Sequence, residues 1–392
     1  MRCLSLLGST GSIGRNCLKV IENFPKDFRT VGLAAGSNIS LLAEQTEKFR
    51  PVIVSVADPS SVKALSNKLQ HLPKRSRPKI VAGEEGLMEV ASHPETNLVV
   101  SAIVGVAGLR PTFEAVECGK SVALANKEIM VVAGELLKRA ARRKNVQILP
   151  IDSEHSAVHQ CLRSGRRSEV QRLILTASGG PFRTLSPAKM RAVTPQMALQ
   201  HPTWSMGDRI TIDSATMMNK GFEILEAKWL FDIPVEKISV LIHPQSLVHS
   251  MVEFVDGSLV AQLGVTDMRH PIQYALTYPR RTLSQLDRLD FSKIEKLEFM
   301  EPDFRKFPCL GLAYRAARQL GAQPCVLNAA DEVAVAAFLK RKIGFLFIPK
   351  IVKRMMDLVN GQSKFSTVRE ILEYDGAVRR ETQRLIEKDF LR

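Results

Sequence analysis

Up to about Pro150 the chain alternates short β-branched, apolar runs with stretches of helical periodicity, and this alternation constrains the fold more than any other feature. Val31 to Ala35, Val52 to Val56, Leu98 to Ile103, Ser121 to Ala125 and Val146 to Ile151 are strand-like. Parallel strands need a crossover between them, and a helix is the usual one. The expected class is therefore α/β, opening with a Rossmann-like parallel sheet covered by helices on both faces.

From Ile151 the texture changes. Strands are expected at Leu173 to Ala177, Ile210 to Asp213, Ile238 to Ile242 and Val248 to Val255, set among Gly- and Pro-rich loops. Asp256-Gly257 reads as a hairpin turn leading into a strand over Leu259 to Leu263. Beyond these, Leu310 to Leu320, Val326 to Lys340, Pro349 to Val359 and Val368 to Asp389 have helical periodicity and read as a C-terminal α-helical bundle. The expected organisation of the 392 residues is a dinucleotide-binding domain over 1–150, an α+β catalytic domain over 151–276, a linker over 277–308 and the bundle over 309–392.

Lys and Arg number 55 against 40 Asp and Glu, a formal charge of +15 that raises the question of nucleic acid. The basic residues are scattered in small groups without interleaved aromatic residues, so no stacking platform forms and no nucleic-acid partner is expected. A field of this sign equally attracts sugar phosphates and dinucleotides. The six cysteines show no C-x-x-C pair and read as reduced thiols. The N-terminus runs straight into the apolar strand Cys3 to Leu7, and no apolar run reaches the ~20 residues that span a bilayer. The expectation is a cytoplasmic protein with no membrane partner; a processed organellar precursor is the alternative.

Four stretches carry chemistry. Gly8-Ser9-Thr10-Gly11-Ser12-Ile13-Gly14 lies between the first strand and a helical pattern over Ile13 to Phe24, where glycines let backbone N–H groups approach a pyrophosphate. A Gly-rich turn without ligand is the plain alternative. The second strand ends in Ala34-Ala35-Gly36-Ser37-Asn38, with no carboxylate to hold a ribose hydroxyl or repel a 2′-phosphate, which favours NADPH over NADH.

Asp152-Ser153-Glu154-His155 follows the strand ending at Ile151. In an extended segment the carboxylates at i and i+2 would point to one side, a hard-oxygen pair suited to Mg²⁺ or Mn²⁺. Solvated acidic caps are the alternative, and His155 reads as a structural neighbour. Ser178-Gly179-Gly180-Pro181-Phe182 follows a buried strand and forms either an anion nest or an ordinary turn.

The most telling stretch runs from His201 to Glu226. Ser214 is placed to cap the helix after it, while Asn219 and Glu223 stand at i and i+4 with Lys220 beside them. Ser214, Asn219 and Lys220 would hold a phosphate and Glu223 would add a third metal carboxylate; a capped surface helix with a polar stripe is the alternative. The loop with Trp204 and Met206 is either a lid that excludes water or core packing.

These motifs, with Ala125-Asn126-Lys127-Glu128, His243-Pro244-Gln245-Ser246 and Leu327-Asn328-Ala329-Ala330, resemble the 1-deoxy-D-xylulose 5-phosphate reductoisomerase family in identity and order along nearly the whole chain. The resemblance implies metal ligation by Asp152, Glu154 and Glu223. It implies a phosphate held by Ser178, Ser214, Asn219 and Lys220 with His201 nearby, and substrate contacts from Lys127, Ser153 and Glu154. Thr10, Gly11, Ser12, Ile13, Gly36, Ser37, Asn38, Asn126, Glu128 and Gly207 would line an NADPH site. The implied reaction is metal-assisted rearrangement of 1-deoxy-D-xylulose 5-phosphate and hydride reduction to 2-C-methyl-D-erythritol 4-phosphate, in the non-mevalonate isoprenoid pathway, by a homodimer joined through the central sheet. Trp204 and Met206 would cover the reacting carbons. Two positions depart from the pattern: Ser37 stands where some members carry a basic residue, and Asp331 where Asn is common.

Two rival readings remain at the level of sequence. An ordinary NAD(P)-dependent dehydrogenase would turn over without metal. A basic, non-catalytic dinucleotide-binding regulator would bind DNA or RNA in a salt-sensitive way.

Overall fold

The computed structural model describes residues 1–201, 207–359 and 364–391. Along the chain, β1 (Arg2–Leu7), α1 (Ser12–Glu22), β2 (Phe28–Ala35), α2 (Ile39–Phe49), β3 (Ile53–Val56), α3 (Ser61–Lys68), β4 (Lys79–Ala82), α4 (Gly83–Ser92), β5 (Leu98–Ser101), α5 (Leu109–Glu117), β6 (Ser121–Leu124), α6 (Lys127–Lys144), β7 (Ile148–Pro150) and α7 (Ser153–Cys161) alternate. There follow β8 (Val170–Ala177), α8 (Pro195–Ala198), α9 (Asp208–Thr216), α10 (Met218–Phe231), β9 (Ile238–Ile242), β10 (Val248–Phe254), β11 (Leu259–Leu263) and α11 (Arg269–Thr277). The chain closes with α12 (Pro308–Gln319), α13 (Gln323–Leu339), α14 (Phe347–Leu358) and α15 (Val368–Asp389).

These elements form two compact units. The first comprises 1–129, 135–156 and 267–286. Its sheet has the order β4-β3-β2-β1-β5-β6-β7, parallel throughout. Leu4, Leu6 and Leu7 of the central strand are fully buried, as expected of a parallel strand covered on both faces. The turn after β1 demands glycine: Gly8 has φ +90°, and a Cβ there would sit 2.6 Å from the carbonyl oxygen of Ala102. The expected parallel sheet is thus present, with β4 as a strand not expected from the sequence. Equally unexpected is α11, whose Ile272, Ala275 and Leu276 complete the core around Leu6, Leu33 and Val100. Burying Ile272 and Leu276 contributes about 1.5–3 kcal/mol each. The Arg2 guanidinium donates to the Leu276 carbonyl at 2.7 Å, satisfying an end of that helix.

The second unit comprises 130–134, 157–266 and 287–392. Its sheet, in the order β11-β10-β8-β9, pairs β10 antiparallel with β8 and β11 and β9 parallel with β8. The expected hairpin between β10 and β11 turns at Gly257, with φ +84°. Helices α12 to α15 form the expected bundle, and α10 packs on α12 so closely that a Cβ on Gly221 would lie 2.6 Å from that of Ala313.

Two local expectations are corrected. Ile210 to Asp213 is not a strand but the middle of α9. Thr211, Ile212 and Ala215 are buried at helical spacing, and the Thr211 hydroxyl donates to the Gly207 carbonyl at 3.0 Å, so packing overrides β-branched propensity. Ser214 consequently does not cap the following helix: it lies in the last turn of α9. The break falls at Met217, in the left-handed region with φ +62°.

Candidate active site

The first unit gathers most of the residues expected to line a dinucleotide. Thr10, Gly11, Ser12 and Ile13 follow β1, Gly36, Ser37 and Asn38 follow β2, and Asn126 follows β6, all at the carboxyl ends of parallel strands. The strand order reverses direction at β1, the kind of switch point where open α/β sheets bind ligands. Gly11 caps α1 without a side-chain hydrogen bond, the kind of helix end suited to anions. A Cβ on Gly36 would meet nothing within 4 Å.

Asn38 and Asn126 have structural work as well. The Asn38 carboxamide oxygen accepts from Leu41 N–H at 3.1 Å, capping α2. Asn126 caps α6, accepting from Ile129 N–H at 3.3 Å, and donates to the carbonyls of Ile103 and Gly105. Glu128 is buried in the first turn of α6. Gly207, the remaining residue of this set, belongs to the second unit and caps α9. Sequence reasoning missed Gln45, whose buried carboxamide donates to the Ser9 carbonyl at 2.9 Å and steadies the glycine turn. A single Gln within an amphipathic helix offers no signal of that role.

In the same unit Asp152 and Glu154 are not in the expected extended segment. Asp152 immediately precedes α7, its Oδ1 accepts from Glu154 N–H at 3.3 Å and its carbonyl accepts from Ser156 N–H at 2.8 Å. An aspartate before a helix bonds the first free N–H groups more readily than it continues a strand. Glu154 falls in the first turn, and its Oε2 accepts the Ser153 hydroxyl at 2.6 Å. Lys127 Nζ stands 2.5 Å from Asp152 Oδ2, and His155 Nδ1 is 3.6 Å from Oδ1. Burial alone would raise the Asp152 carboxyl, but the Lys127 ammonium and His155 outweigh it and hold the group well below the ordinary carboxylate range. The result is an ionised Asp152 beside Glu154, two hard-oxygen donors at a helix N-terminus.

The second unit assembles the polar set expected to take a phosphate. His201 Nε2 lies 3.1 Å from the hydroxyl oxygens of both Ser178 and Ser214, so one imidazole nitrogen links two residues 36 positions apart in sequence. Ser178 Oγ also accepts from Gly180 N–H at 3.2 Å. Gly179 and Gly180 both take positive φ, +82° and +68°, which shapes this nest. Burial lowers the His201 imidazole from its ordinary range, so it stays neutral at neutral pH. On α10, Asn219 Nδ2 donates to Glu223 Oε1 at 2.6 Å and Lys220 Nζ bonds Glu223 Oε2, as the i, i+4 and i, i+3 spacings foretold. Lys220 and Glu223 are almost fully buried, and a buried ion pair without further purpose is a poor source of stability. Trp204 and Met206, the proposed lid residues, lie outside the described residues.

Comparison with known proteins bears on all of these segments. Residues 4–134 match the family described as 1-deoxy-D-xylulose 5-phosphate reductoisomerase, and residues 148–231 and 263–381 match two C-terminal domains of the same description. The chain is similar to 1-deoxy-D-xylulose 5-phosphate reductoisomerases of Chlorobium chlorochromatii, at 53% identity over 91% of this chain and 92% of that one, and Desulforamulus reducens, at 49% over 98% and 99%. Among solved structures it is similar to the reductoisomerase from Zymomonas mobilis in complex with NADPH, with TM-score 0.92, 43% identity and 99% of each chain covered. It is also similar to a DOX-P reductoisomerase in complex with NADPH, fosmidomycin and magnesium, with TM-score 0.92 and 40% identity over 99% of this chain and 100% of that one. On this agreement over nearly its whole length, the chain belongs to the 1-deoxy-D-xylulose 5-phosphate reductoisomerase family.

Proposed function

We propose that this protein converts 1-deoxy-D-xylulose 5-phosphate to 2-C-methyl-D-erythritol 4-phosphate, using NADPH and a divalent cation, Mg²⁺ or Mn²⁺. The observation that carries the reading is the carboxylate pair Asp152 and Glu154 at the start of α7, with Asp152 kept ionised by Lys127, in a chain of this family.

Asp152, Glu154 and Glu223 are the residues that would hold the cation. All three are carboxylates, the donor type preferred by Mg²⁺ and Mn²⁺, and Glu223 is only 1% exposed. When bound, the cation supplies Lewis-acid polarisation of the substrate ketone and NADPH supplies the hydride. The chain's own residues then bind, orient and shield. Thr10, Gly11, Ser12, Ile13, Gly36, Ser37, Asn38, Asn126, Glu128 and Gly207 would hold the dinucleotide, and the start of α1, without a side-chain cap, would supply N–H groups for its charge. Lys127, Ser153 and Glu154 contact the substrate's carbon chain.

Ser178, His201, Ser214, Asn219 and Lys220 take the phosphate. A phosphate is best met by O–H and N–H donors, which selects the imidazole tautomer with its proton on Nε2. With His201 donating, the protons of both serine hydroxyls stay available to the phosphate. Gripping this remote group orients the reacting carbons. Trp204 and Met206, outside the described residues, would serve as a lid that excludes water.

The same reading includes a homodimer in a reducing, cytoplasmic setting. The partly exposed Leu241, Ala261 and Leu263 around Ile174, Val248 and Met251 give the second unit's sheet an apolar patch that another copy would cover, and the six cysteines are all unpaired. Solution mass measurement at a concentration series tests the dimer.

The decisive assay mixes protein, NADPH, Mg²⁺ and 1-deoxy-D-xylulose 5-phosphate and follows loss of nicotinamide absorbance. Turnover abolished by a chelator and restored by Mg²⁺ or Mn²⁺ is the expected result. Turnover indifferent to the chelator would favour a plain dehydrogenase, and no NADPH oxidation at all would overturn the proposal.

A further inference from the structure

Asp331 of α13 is fully buried, and neither oxygen of its carboxyl has a hydrogen-bond partner. The carboxyl of Asp213, on α9 and 3% exposed, faces it within bonding reach. The other charged groups that act on Asp331 are Arg209 and Glu332, while α10, packed on α9, carries the buried Lys220, Glu223 and Glu226. Arg209 of α9 stands 3.6 Å from Asp213, but its terminal nitrogens are directed at Glu332 Oε2, 2.8 Å away, and at Asn328 Oδ1, 2.9 Å away. Glu332 is shared with Arg379 of α15, which also binds Asp375. From α12 comes the buried thiol of Cys309, and the buried residues of α14 are all apolar.

Two ionised carboxylates cannot face one another in such a site, whereas a carboxyl and a carboxylate can share a proton. Burial, reinforced by Asp213, pushes Asp331 well above the ordinary carboxylate range. We propose that Asp331 is a neutral carboxylic acid whose O–H donates to Asp213, and that this bond fixes the end of α9 that presents Ser214. Ser214 is next in the chain after Asp213, so fixing one fixes the backbone of the other. The same turn is tied by the Thr216 hydroxyl, which donates to the Asp213 carbonyl at 3.2 Å. Beyond Met217 the helix breaks, so the position of Ser214 relative to His201 depends on where Asp213 is held. Asp331 is thus a positioning residue for phosphate capture, and this half of the inference rests on the assignment of Ser214 to the phosphate.

The isosteric variant Asp331→Asn keeps a donor toward Asp213 and carries no charge; Asp331→Ala removes the donor. In the infrared difference spectrum of wild type minus D331N at neutral pH, the C=O band of a protonated carboxylic acid is expected. D331N should keep the wild-type KM for the phosphorylated substrate, while D331A should raise it about tenfold with a smaller change in kcat. Carboxylate bands alone in the difference spectrum would overturn the neutral acid, a result that D331N delivers even where D331A fails to fold. A raised KM in D331N would overturn the positioning role. If Ser214→Ala left KM unchanged while the acid band persisted, the phosphate assignment would fall, and with it the positioning role, independently of the proton on Asp331.

Discussion

The ammonium of Lys127 lies 2.5 Å from Asp152 Oδ2, with both side chains about one-tenth exposed, so a cation from the start of α6 keeps a carboxylate before α7 ionised. A group held in this form is ready to ligate a divalent ion without first losing a proton.

Replacing a ligand should therefore separate metal from dinucleotide. Asp152→Asn and Glu223→Gln are each expected to lower kcat by about a thousandfold or more, the scale of several kcal/mol of Lewis-acid stabilisation. NADPH affinity, measured by nicotinamide fluorescence, should be little changed, because the glycine turn lies in a separate segment. Normal activity in either variant would remove that residue from the metal site.

Lys220 offers a charge-assisted hydrogen bond worth about 1.5–3 kcal/mol to the phosphate. Lys220→Ala should raise KM for the phosphorylated substrate roughly ten- to hundredfold, with less effect on kcat. A dephosphorylated analogue should show no comparable discrimination between wild type and variant. An unchanged KM in the variant would take Lys220 out of the phosphate site.

Gly221 tests how closely α10 must approach α12. Its substitution by Ala would normally favour a helix by roughly 1 kcal/mol. Here the added methyl meets Ala313 at 2.6 Å, and overpacking costs about 1–3 kcal/mol. Gly221→Ala should lower stability in denaturant titration, and adding Ala313→Gly should recover part of the loss. Additive effects of the two substitutions would argue against the contact.

His159, on α7, provides a pH signature. Burial, with Arg163 nearby, lowers its imidazole to about 4. The unfolded chain, with an ordinary value of about 6.5, takes up that proton first. The stability associated with the neutral imidazole is therefore complete above about pH 6.5. It is lost progressively as pH falls toward about 4, to a limit of ~3 kcal/mol. His159→Gln should flatten the fall in thermal midpoint across that window. Parallel curves for the two proteins would show that other groups dominate the acid limb.

Much of this was legible in local pattern. Periodicity located β9 and β11 to the residue, along with α15, and it described the parallel sheet and the bundle. The spacing of Asn219, Lys220 and Glu223 put them on one helix face, since i, i+3 and i+4 neighbours adjoin whatever surrounds the helix.

What the sequence by itself determined is the set of properties carried within one or two turns of backbone: the glycine turn after β1, the helix and strand periods, and the chemical types gathered in each motif. Only tertiary structure decided that 208–216 is helix despite its β-branched residues, that α11 closes the core of the first unit, and that one His201 nitrogen joins Ser178 to Ser214. It also set Asp331 against Asp213. These outcomes depend on burial and on partners far away in the chain, and such long-range contacts outweigh a propensity of a few tenths of a kcal/mol per residue.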